Sequence, residues 1–169
     1  MKEQKQYEQF FFSKHTGNRL FHLASQFKRP VFLCTPTLAK MAEVMKAPYL
    51  LLDHDRRFKA MKNYQYFDLF APHYIETPFD AIFSDPPFSN ITIPQFYRAV
   101  ETLNGFQGTE NLFICHISTS QTKLISTFSN YNLVRYSEAL SYETVKRETQ
   151  EKIFLFGPER FLKYDLNKQ

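Results

Sequence analysis

The stretch that decides the fold is Phe79-Asp80-Ala81-Ile82-Phe83-Ser84-Asp85-Pro86-Pro87-Phe88. Its apolar run, residues 81–83, suits a buried central strand. Pro86 and Pro87 lack a backbone N–H and have a fixed φ, so strand pairing must stop where Asp85 emerges. The stretch therefore predicts a buried strand that runs directly into a stiff loop carrying a carboxylate.

Residues 85–88, Asp-Pro-Pro-Phe, resemble the signature tetrapeptide of S-adenosylmethionine-dependent methyltransferases that act on a nitrogen attached to a planar system. The main example of such a nitrogen is the exocyclic amine of adenine. It is a poor nucleophile because its lone pair is delocalised into the ring. The resemblance implies a catalytic loop of Asp85, Pro86, Pro87 and Phe88, in which Asp85 and the Pro86 carbonyl accept the two amine protons. Phe88 would stack on the base, a contact worth about 1–3 kcal/mol. The alternative interpretation is an ordinary turn, because Asp and Pro are common turn residues.

An earlier strand, residues 30–34, is followed by a helix that reaches residue 45, with Thr35 or Thr37 as its N-cap. Nucleotide-type cofactors bind at such a strand-to-helix junction in doubly wound folds. Thr35 and Pro36 are therefore candidate cofactor-binding residues. The glycine-rich loop that is usual at this junction is replaced by Cys-Thr-Pro-Thr, so close approach of the backbone must be achieved in another way.

The next strand, residues 49–53, ends in the acidic residue Asp53. A carboxylate at this place can accept hydrogen bonds from both ribose hydroxyls, so Asp53 is the first candidate for holding the cofactor. Asp55 is a second candidate. It alternatively forms a surface ion pair with Arg56 or Arg57, which is the commoner role of an Asp in a charged cluster.

Three further features have two interpretations each. Asp68 ends a short predicted strand, residues 64–69, and either accepts from the adenine amino group of the cofactor or forms a turn. The aromatic run at residues 10–12 either plugs the core, which we favour, or contacts the cofactor. His116 either accepts a proton near the site or is structural, and the structural role is the more usual one for a lone His on an apolar strand.

The remaining pattern completes an alternation of strands and helices. It predicts helices over residues 18–27, 94–103 and 118–128, and strands over residues 111–117, 133–136 and 152–157. The last two strands look antiparallel, and the charged segment 137–151 between them is a candidate substrate loop. We therefore expect an α/β, Rossmann-like fold with a mostly parallel seven-stranded sheet, helices on both faces and the site at the carboxyl edge.

Length and composition favour one domain over residues 1–169, with flexible ends at 1–6 and 163–169. The 19 Phe and 10 Tyr residues predict an aromatic core. Cys34 and Cys115 lie in apolar runs, so we expect buried thiols and neither a disulfide nor a metal site. No apolar run approaches a membrane span of about 20 residues, which predicts a protein of the cytoplasm, with the nucleus as the alternative.

Motifs at residues 9–13, 34–37, 51–58, 66–68 and 85–88 occur in this order, and together they resemble the probable N6-adenine methyltransferase family. The resemblance covers most of residues 7–157. It implies S-adenosyl-L-methionine as cofactor and an amino nitrogen as methyl acceptor. The family includes a ribosomal-RNA adenine methyltransferase with a zinc-knuckle region and a lysine methyltransferase that acts on a translation elongation factor.

The acceptor remains open between these two branches. The aromatic Phe88 and the net charge of +4 favour adenine in RNA or DNA as the partner. The zinc-binding extensions of the RNA branch are not found in these 169 residues, and the same loop can grip a protein lysine. With either acceptor, a partner subunit is a candidate for recognising the target. The second alternative is a non-catalytic binding subunit that keeps the methyltransferase fold.

Overall fold

The computed structural model describes residue 3, residues 9–105 and residues 107–166, with side chains as far as residue 164. The predicted flexible segment 1–6, apart from residue 3, and residues 167–169 lie outside this part. The strands are β1 (Pro30–Leu33), β2 (Leu50–Asp53), β3 (Tyr64–Tyr66), β4 (Ala81–Ser84), β5 (Leu112–Ile117), β6 (Leu133–Ala139) and β7 (Ile153–Pro158). The α-helices are α1 (Lys14–Ala24), α2 (Pro36–Met45), α3 (Ile93–Asn104), α4 (Gln121–Thr127), α5 (Arg147–Gln150) and α6 (Leu162–Leu166).

The seven strands form one sheet in the order β3-β2-β1-β4-β5-β7-β6. The neighbours from β3 to β5 are parallel, whereas β7 pairs antiparallel with both β5 and β6. This is the predicted Rossmann-like sheet, and its antiparallel final pair is confirmed. The strand order reverses between β1 and β4, and in such sheets ligands bind outside the carboxyl ends of the strands at that reversal.

Helices cover both faces of the sheet because successive strand residues point to opposite sides. Phe32 and Phe83 face the layer formed by α1 and α2, while Val31 and Ile82 face the layer formed by α3 and α4. All four side chains are fully buried or nearly so. The unbroken apolar runs of β1 and β4 follow from this burial on two sides.

Several segments differ in extent from the sequence prediction. The first helix runs over Lys14–Ala24 and not over residues 18–27, and the α-helix predicted over residues 118–128 covers Gln121–Thr127. The strand predicted over residues 64–69 ends at Tyr66, and Phe67 is a buried core residue beyond it. The segment 137–151 is shorter than predicted as a loop, because β6 continues to Ala139 and α5 occupies Arg147–Gln150. The helices within residues 9–105 and 107–166 are all too short or too polar to cross a membrane.

Candidate active site

The candidate site lies where β1, β2 and β4 end. Cys34 directly follows β1, Asp53 is the last residue of β2, and Asp85 follows β4. Because these strands are parallel and adjacent, the three side chains meet at one edge of the sheet. Asp68 lies in the segment after the neighbouring strand β3 and joins the same edge.

A cavity of about 120 Å³, which we call the carboxylate cavity, opens at this edge. It contains three of the predicted carboxylates, Asp53, Asp68 and Asp85. The predicted residues Thr35, Pro36 and Asp55 are not among the side chains that line it. Its lining residues are Gln9, Phe10, Cys34, Asp53, His54, Phe67, Asp68, Leu69, Phe70, Asp85, Pro87 and Asn90.

Cys34 replaces the missing glycine by its backbone conformation. Its φ is 58°, in the left-handed region that Gly adopts readily and other residues adopt rarely. The Cys34 N–H remains tied to the Leu52 carbonyl at 2.9 Å, so the turn is anchored to the neighbouring strand. The sharp turn after β1 is therefore made without glycine, at the place where the backbone borders the cavity.

The carboxylate cavity has a strongly negative environment. Burial raises the pKa of Asp53 to about 6, although the Asp55 N–H, 2.9 Å from Asp53 Oδ1, and His54 partly offset this rise. Burial also raises the pKa of the Cys34 thiol, and the charges of Asp53, Asp85 and Asp68 raise it further. The thiol is therefore neutral, and the cavity suits a ligand with positive charge and hydroxyl donors.

Asp68 forms the turn that the sequence offered as one alternative, and its side chain also borders the cavity. Its Oδ1 accepts from the N–H of Phe70 at 2.8 Å, which is a local turn, and its side chain also lines the carboxylate cavity. The turn fixes the direction of the carboxylate, and this arrangement holds it at the cavity wall.

Asp55 has a different environment from Asp53. Its carboxylate receives Arg57 Nε at 2.9 and 3.0 Å, Arg57 Nη2 at 2.7 Å and Gln9 Nε2 at 3.0 Å. Although burial alone would raise it, the pKa of Asp55 lies below its usual value because Arg57 and Gln9 donate to the carboxylate. The ion pair with Arg57 is the alternative that the sequence offered. The Gln9 side chain donates to Asp55 and accepts from Arg57, and these two bonds tie the N-terminal segment to the chain beyond β2.

Thr35 and Pro36 lie behind the cavity wall. Thr35 is the N-cap of α2, as predicted, and Pro36 is the first residue of the helix. Both are buried, and Thr35 Oγ1 lies 3.5 Å from the Phe83 carbonyl. These residues join the start of α2 to the sheet beneath the site.

The Asp85 loop is held at both of its ends. The Asp85 N–H donates to the Leu33 carbonyl at 3.2 Å, and the Pro87 carbonyl accepts from Asn90 and Ile91 at 2.8 and 3.0 Å. The rings of Phe88 and His116 lie 5.3 Å apart at 46°. His116 is buried in β5, its pKa is lowered by burial, and it lines neither cavity of this site.

A second cavity of about 370 Å³, which we call the aromatic cavity, lies on the other side of the Asp85 loop. It shares Phe10, Asp85 and Pro87 with the carboxylate cavity. The two cavities therefore meet at the Asp85 carboxylate. The lining residues of the aromatic cavity are Phe10, Asp85, Pro86, Pro87, Phe88, Ser89, Tyr142, Thr144, Val145, Lys146, Thr149 and Ile153.

Two aromatic residues of this site differ in how far the sequence indicated them: Phe10 belongs to the run for which cofactor contact was the less favoured alternative, and Tyr142 was not singled out. Phe11 and Phe12 are core residues, as favoured, but half-buried Phe10 lines both cavities. Tyr142 donates its phenol hydrogen to Asp85 Oδ1 at 3.0 Å. The segment 137–151 was a candidate substrate loop, and it does border the aromatic cavity, but no local pattern marks Tyr142 as a partner of Asp85.

Within the described residues, no group of three or more His, Cys, Asp or Glu side chains has the geometry of a metal site. Cys34 and Cys115 are both free thiols, half-buried and buried respectively.

Comparisons with known proteins bear on the family and the fold of the chain. A family model described as probable N6-adenine methyltransferase matches residues 3–165. No curated protein matches the chain.

Solved structures share the fold at low identity. A "putative RNA methyltransferase", PH1948 from Pyrococcus horikoshii, has a TM-score of 0.60 and 13% identity, with 93% of this chain and 90% of that chain covered. The methyltransferase domain of a bacterial Hen1 has a TM-score of 0.56 and 10% identity, with 84% of this chain and 95% of that chain covered. A third structure is the O-methyltransferase NcsB1 in complex with S-adenosyl-L-homocysteine and 1,4-dihydroxy-2-naphthoic acid. Its TM-score is 0.52 and its identity 10%, with 85% of this chain and 53% of that chain covered. At these identities the likeness shows the fold alone.

Proposed function

Because the chain belongs to the probable N6-adenine methyltransferase family and has a Rossmann-like methyltransferase fold, we propose that it is an S-adenosylmethionine-dependent N-methyltransferase whose preferred acceptor is the exocyclic amine of adenine in nucleic acid. One observation carries the proposal. The carboxylate cavity and the aromatic cavity meet at Asp85 and Pro87, so a donor on one side and an acceptor on the other can approach each other there.

The carboxylate cavity is the proposed cofactor site. S-adenosylmethionine, when bound, supplies a methyl group on a positively charged sulfonium, and a cavity with three carboxylates suits that charge. Asp53 would accept from the ribose hydroxyls, and Asp68 from the adenine amino group of the cofactor. Asp55 would act indirectly, by holding Arg57 and the N-terminal segment in place.

The aromatic cavity is the proposed acceptor site. Asp85 and the Pro86 carbonyl would accept the two amine protons, which localises the nitrogen lone pair towards the methyl group. Phe88 would present a face to the flat base, and base-to-aromatic stacking is worth about 1–3 kcal/mol. A base reaching this depth has to be unpaired or flipped out of a duplex.

A protein lysine is the second candidate acceptor, and the aromatic side chains around Asp85 favour it. Phe10, Phe88 and Tyr142 line one cavity, and aromatic faces attract an ammonium group. Lys146 lines the same cavity and repels such a cation, whereas it would attract a phosphate. We therefore rank adenine above lysine. A partner subunit that reads the target is compatible with either acceptor.

Calorimetric titration with S-adenosylhomocysteine tests the cofactor site. Asp53→Ala should weaken binding at least tenfold, since a hydrogen bond to a charged group contributes about 1.5–3 kcal/mol. Asp85→Ala should bind within about threefold of wild type, yet transfer methyl about a hundredfold more slowly. Glu110→Ala, at an exposed acid before β5, is the matched control and should change neither quantity.

Three outcomes separate the alternatives. Failure of the wild type to bind S-adenosylhomocysteine removes the enzyme proposal. Binding without methyl transfer to RNA, DNA or protein favours the non-catalytic binding subunit. Turnover that Asp85→Ala leaves unchanged overturns the role of Asp85.

A further inference from the structure

Tyr142 contacts the proposed catalytic carboxylate from a distant part of the chain. Its phenol hydrogen is donated to Asp85 Oδ1 at 3.0 Å, and the residue is 6% exposed. Burial, and then the charge of Asp85, raise the pKa of the Tyr142 phenol well above its ordinary value. The hydroxyl therefore keeps its proton at neutral pH and donates it to the Asp85 carboxylate.

The position of Tyr142 is itself fixed from two sides. Gln150 binds both of its backbone groups: the Tyr142 N–H donates to Gln150 Oε1 at 3.2 Å, and Gln150 Nε2 donates to the Tyr142 carbonyl at 3.1 Å. On the other side, Phe12 forms a β-bridge with Tyr142, and the two rings lie 5.1 Å apart. Tyr142 lies in the connection between β6 and β7, and these contacts fix its backbone and its ring.

The charges around Asp85 determine how this hydrogen bond affects its ionisation. Asp85 shares the carboxylate cavity with Asp53, Asp68 and Cys34, and it shares the aromatic cavity with Lys146, whose charge is opposite. Burial, and then carboxylate charge, raise the pKa values of the Cys34 and Cys115 thiols, so these two neighbours are uncharged. Two nearby carboxylates disfavour the charged form of a third. A donor from the opposite side stabilises that charged form and fixes the rotation of the carboxylate.

We propose that Tyr142 is a positioning residue, which holds Asp85 ionised and turned towards the amine of the acceptor. This inference rests on the proposed function, because an oriented carboxylate matters only if Asp85 receives the amine protons. A purely structural role for Tyr142 is the competing interpretation. It predicts lower stability on mutation but no change in the ionisation of Asp85.

The Tyr142→Phe variant distinguishes the two roles, because it keeps the ring against Phe12 and removes only the hydroxyl. Tyr136→Phe is the matched control: Tyr136 is fully buried in β6, and its hydroxyl donates at 2.9 Å to the Pro158 carbonyl, a neutral group. Carbon-13 NMR follows the titration of the Asp85 carboxyl in the protein without cofactor. The midpoint should move to higher pH in Tyr142→Phe and stay at the wild-type value in Tyr136→Phe.

Kinetics give the second readout. Tyr142→Phe should lower kcat about ten- to a hundredfold, the loss expected for a hydrogen bond to a charged group, and should move the acidic limb of the kcat profile to higher pH. The affinity for S-adenosylhomocysteine should stay within about twofold of wild type. Gln150→Ala, which loosens the support of Tyr142, should shift kcat in the same direction by a smaller factor.

An unchanged Asp85 midpoint in a folded Tyr142→Phe variant overturns the inference. So does a kcat that falls equally in Tyr142→Phe and Tyr136→Phe, since that result reports a loss of stability alone. Failure of the proposed function has a different signature: the wild type does not bind S-adenosylhomocysteine, whereas the NMR titration still reports whether Tyr142 governs the ionisation of Asp85.

Discussion

The protonation of Asp53 is set by its burial, and this gives a prediction at the scale of one residue. Its pKa rises from 3.8 in an unfolded chain to about 6 in the folded protein. Between these values the folded state holds a proton that the unfolded chain has released. The contribution of Asp53 to the free energy of unfolding, measured by urea denaturation as the difference between cofactor-free wild type and Asp53→Asn, should therefore fall as pH rises from about 4 to about 6 and then level off.

Cofactor binding should show the opposite trend with pH. In the proposed cofactor complex the ribose hydroxyls would donate to the ionised Asp53 carboxylate, so the affinity for S-adenosylhomocysteine should fall as pH drops below about 6. The expected slope is at most about tenfold per pH unit. Calorimetric titration of wild type and Asp53→Asn between about pH 4.5 and 8, in steps of about half a pH unit, measures this dependence of affinity on pH. A slope that persists in Asp53→Asn would assign the titration to another group.

The left-handed backbone of Cys34 gives a second prediction at this scale. A branched side chain is poorly tolerated at a φ of 58°, so Cys34→Val should lower the free energy of unfolding by about 1–2 kcal/mol or more. Cys115→Val is the control, since Cys115 is buried within β5 and should change stability by less than about 1.5 kcal/mol. Urea denaturation of both variants measures the difference, and equal losses would contradict the strain argument.

Single residues also show what sequence reasoning can reach. Asp53 and Asp85 end buried parallel strands, and that local pattern is sufficient to bring them to one edge. Asp55 differs because its partner Gln9 is distant in the chain, so its environment depends on tertiary contacts. Tyr142 and Phe10 reach the site only through the packing of the N-terminal segment against the chain after β6, which no local pattern encodes.

At the scale of elements, the pairing of β7 with its neighbours depends on Gly157. A Cβ atom at this position would lie 2.5 Å from Phe113 Cδ1. The Phe113 ring cannot withdraw, because it stacks on Phe83 at 4.4 Å and contacts Phe27 and Phe161 at 5.7 and 5.6 Å. Gly157→Ala should therefore lower the free energy of unfolding by about 1–3 kcal/mol.

The control for this prediction is Gly17→Ala in α1. There the nearest atom to the new Cβ is the Met41 sulfur at 3.2 Å, which belongs to a flexible side chain that can move. Replacing a mid-helix Gly by Ala stabilises a helix by about 0.5–1 kcal/mol, so Gly17→Ala should be neutral or stabilising. Thermal or urea unfolding compares the two variants, and a stable Gly157→Ala would show that the aromatic cluster can rearrange.

The elements themselves were predictable where apolar runs are long. Continuous apolar segments that end in Asp or Pro identify β2 and β4, and the Thr-Pro pair marks the start of α2. The end of β3 was placed too late because Phe67 continues the apolar pattern although it no longer pairs with β2. An apolar residue shows burial, whereas strand pairing depends on the neighbouring chain.

At the scale of the whole molecule, the sheet topology places two cavities, the proposed donor and acceptor sites, around the Asp85 loop. The strand order reverses between β1 and β4, so their carboxyl ends open on the carboxylate cavity, while the antiparallel pair β6 and β7 carries the segment that closes the aromatic cavity. The fold and the family follow from motif order and periodicity. The proposed acceptor does not, because the aromatic cavity that would select it is lined by segments that are distant in the chain.

One measurement tests the central claim most directly. Wild type and Asp85→Ala are incubated with a cell extract and S-adenosylmethionine that carries a tritiated methyl group, and the products are digested separately with nuclease and with protease. We predict that wild type transfers label that nuclease releases and that co-migrates with N6-methyladenosine, and that Asp85→Ala transfers almost none. Label that resists nuclease and is lost to protease would contradict adenine as the acceptor, and the absence of label with wild type would contradict the enzyme itself.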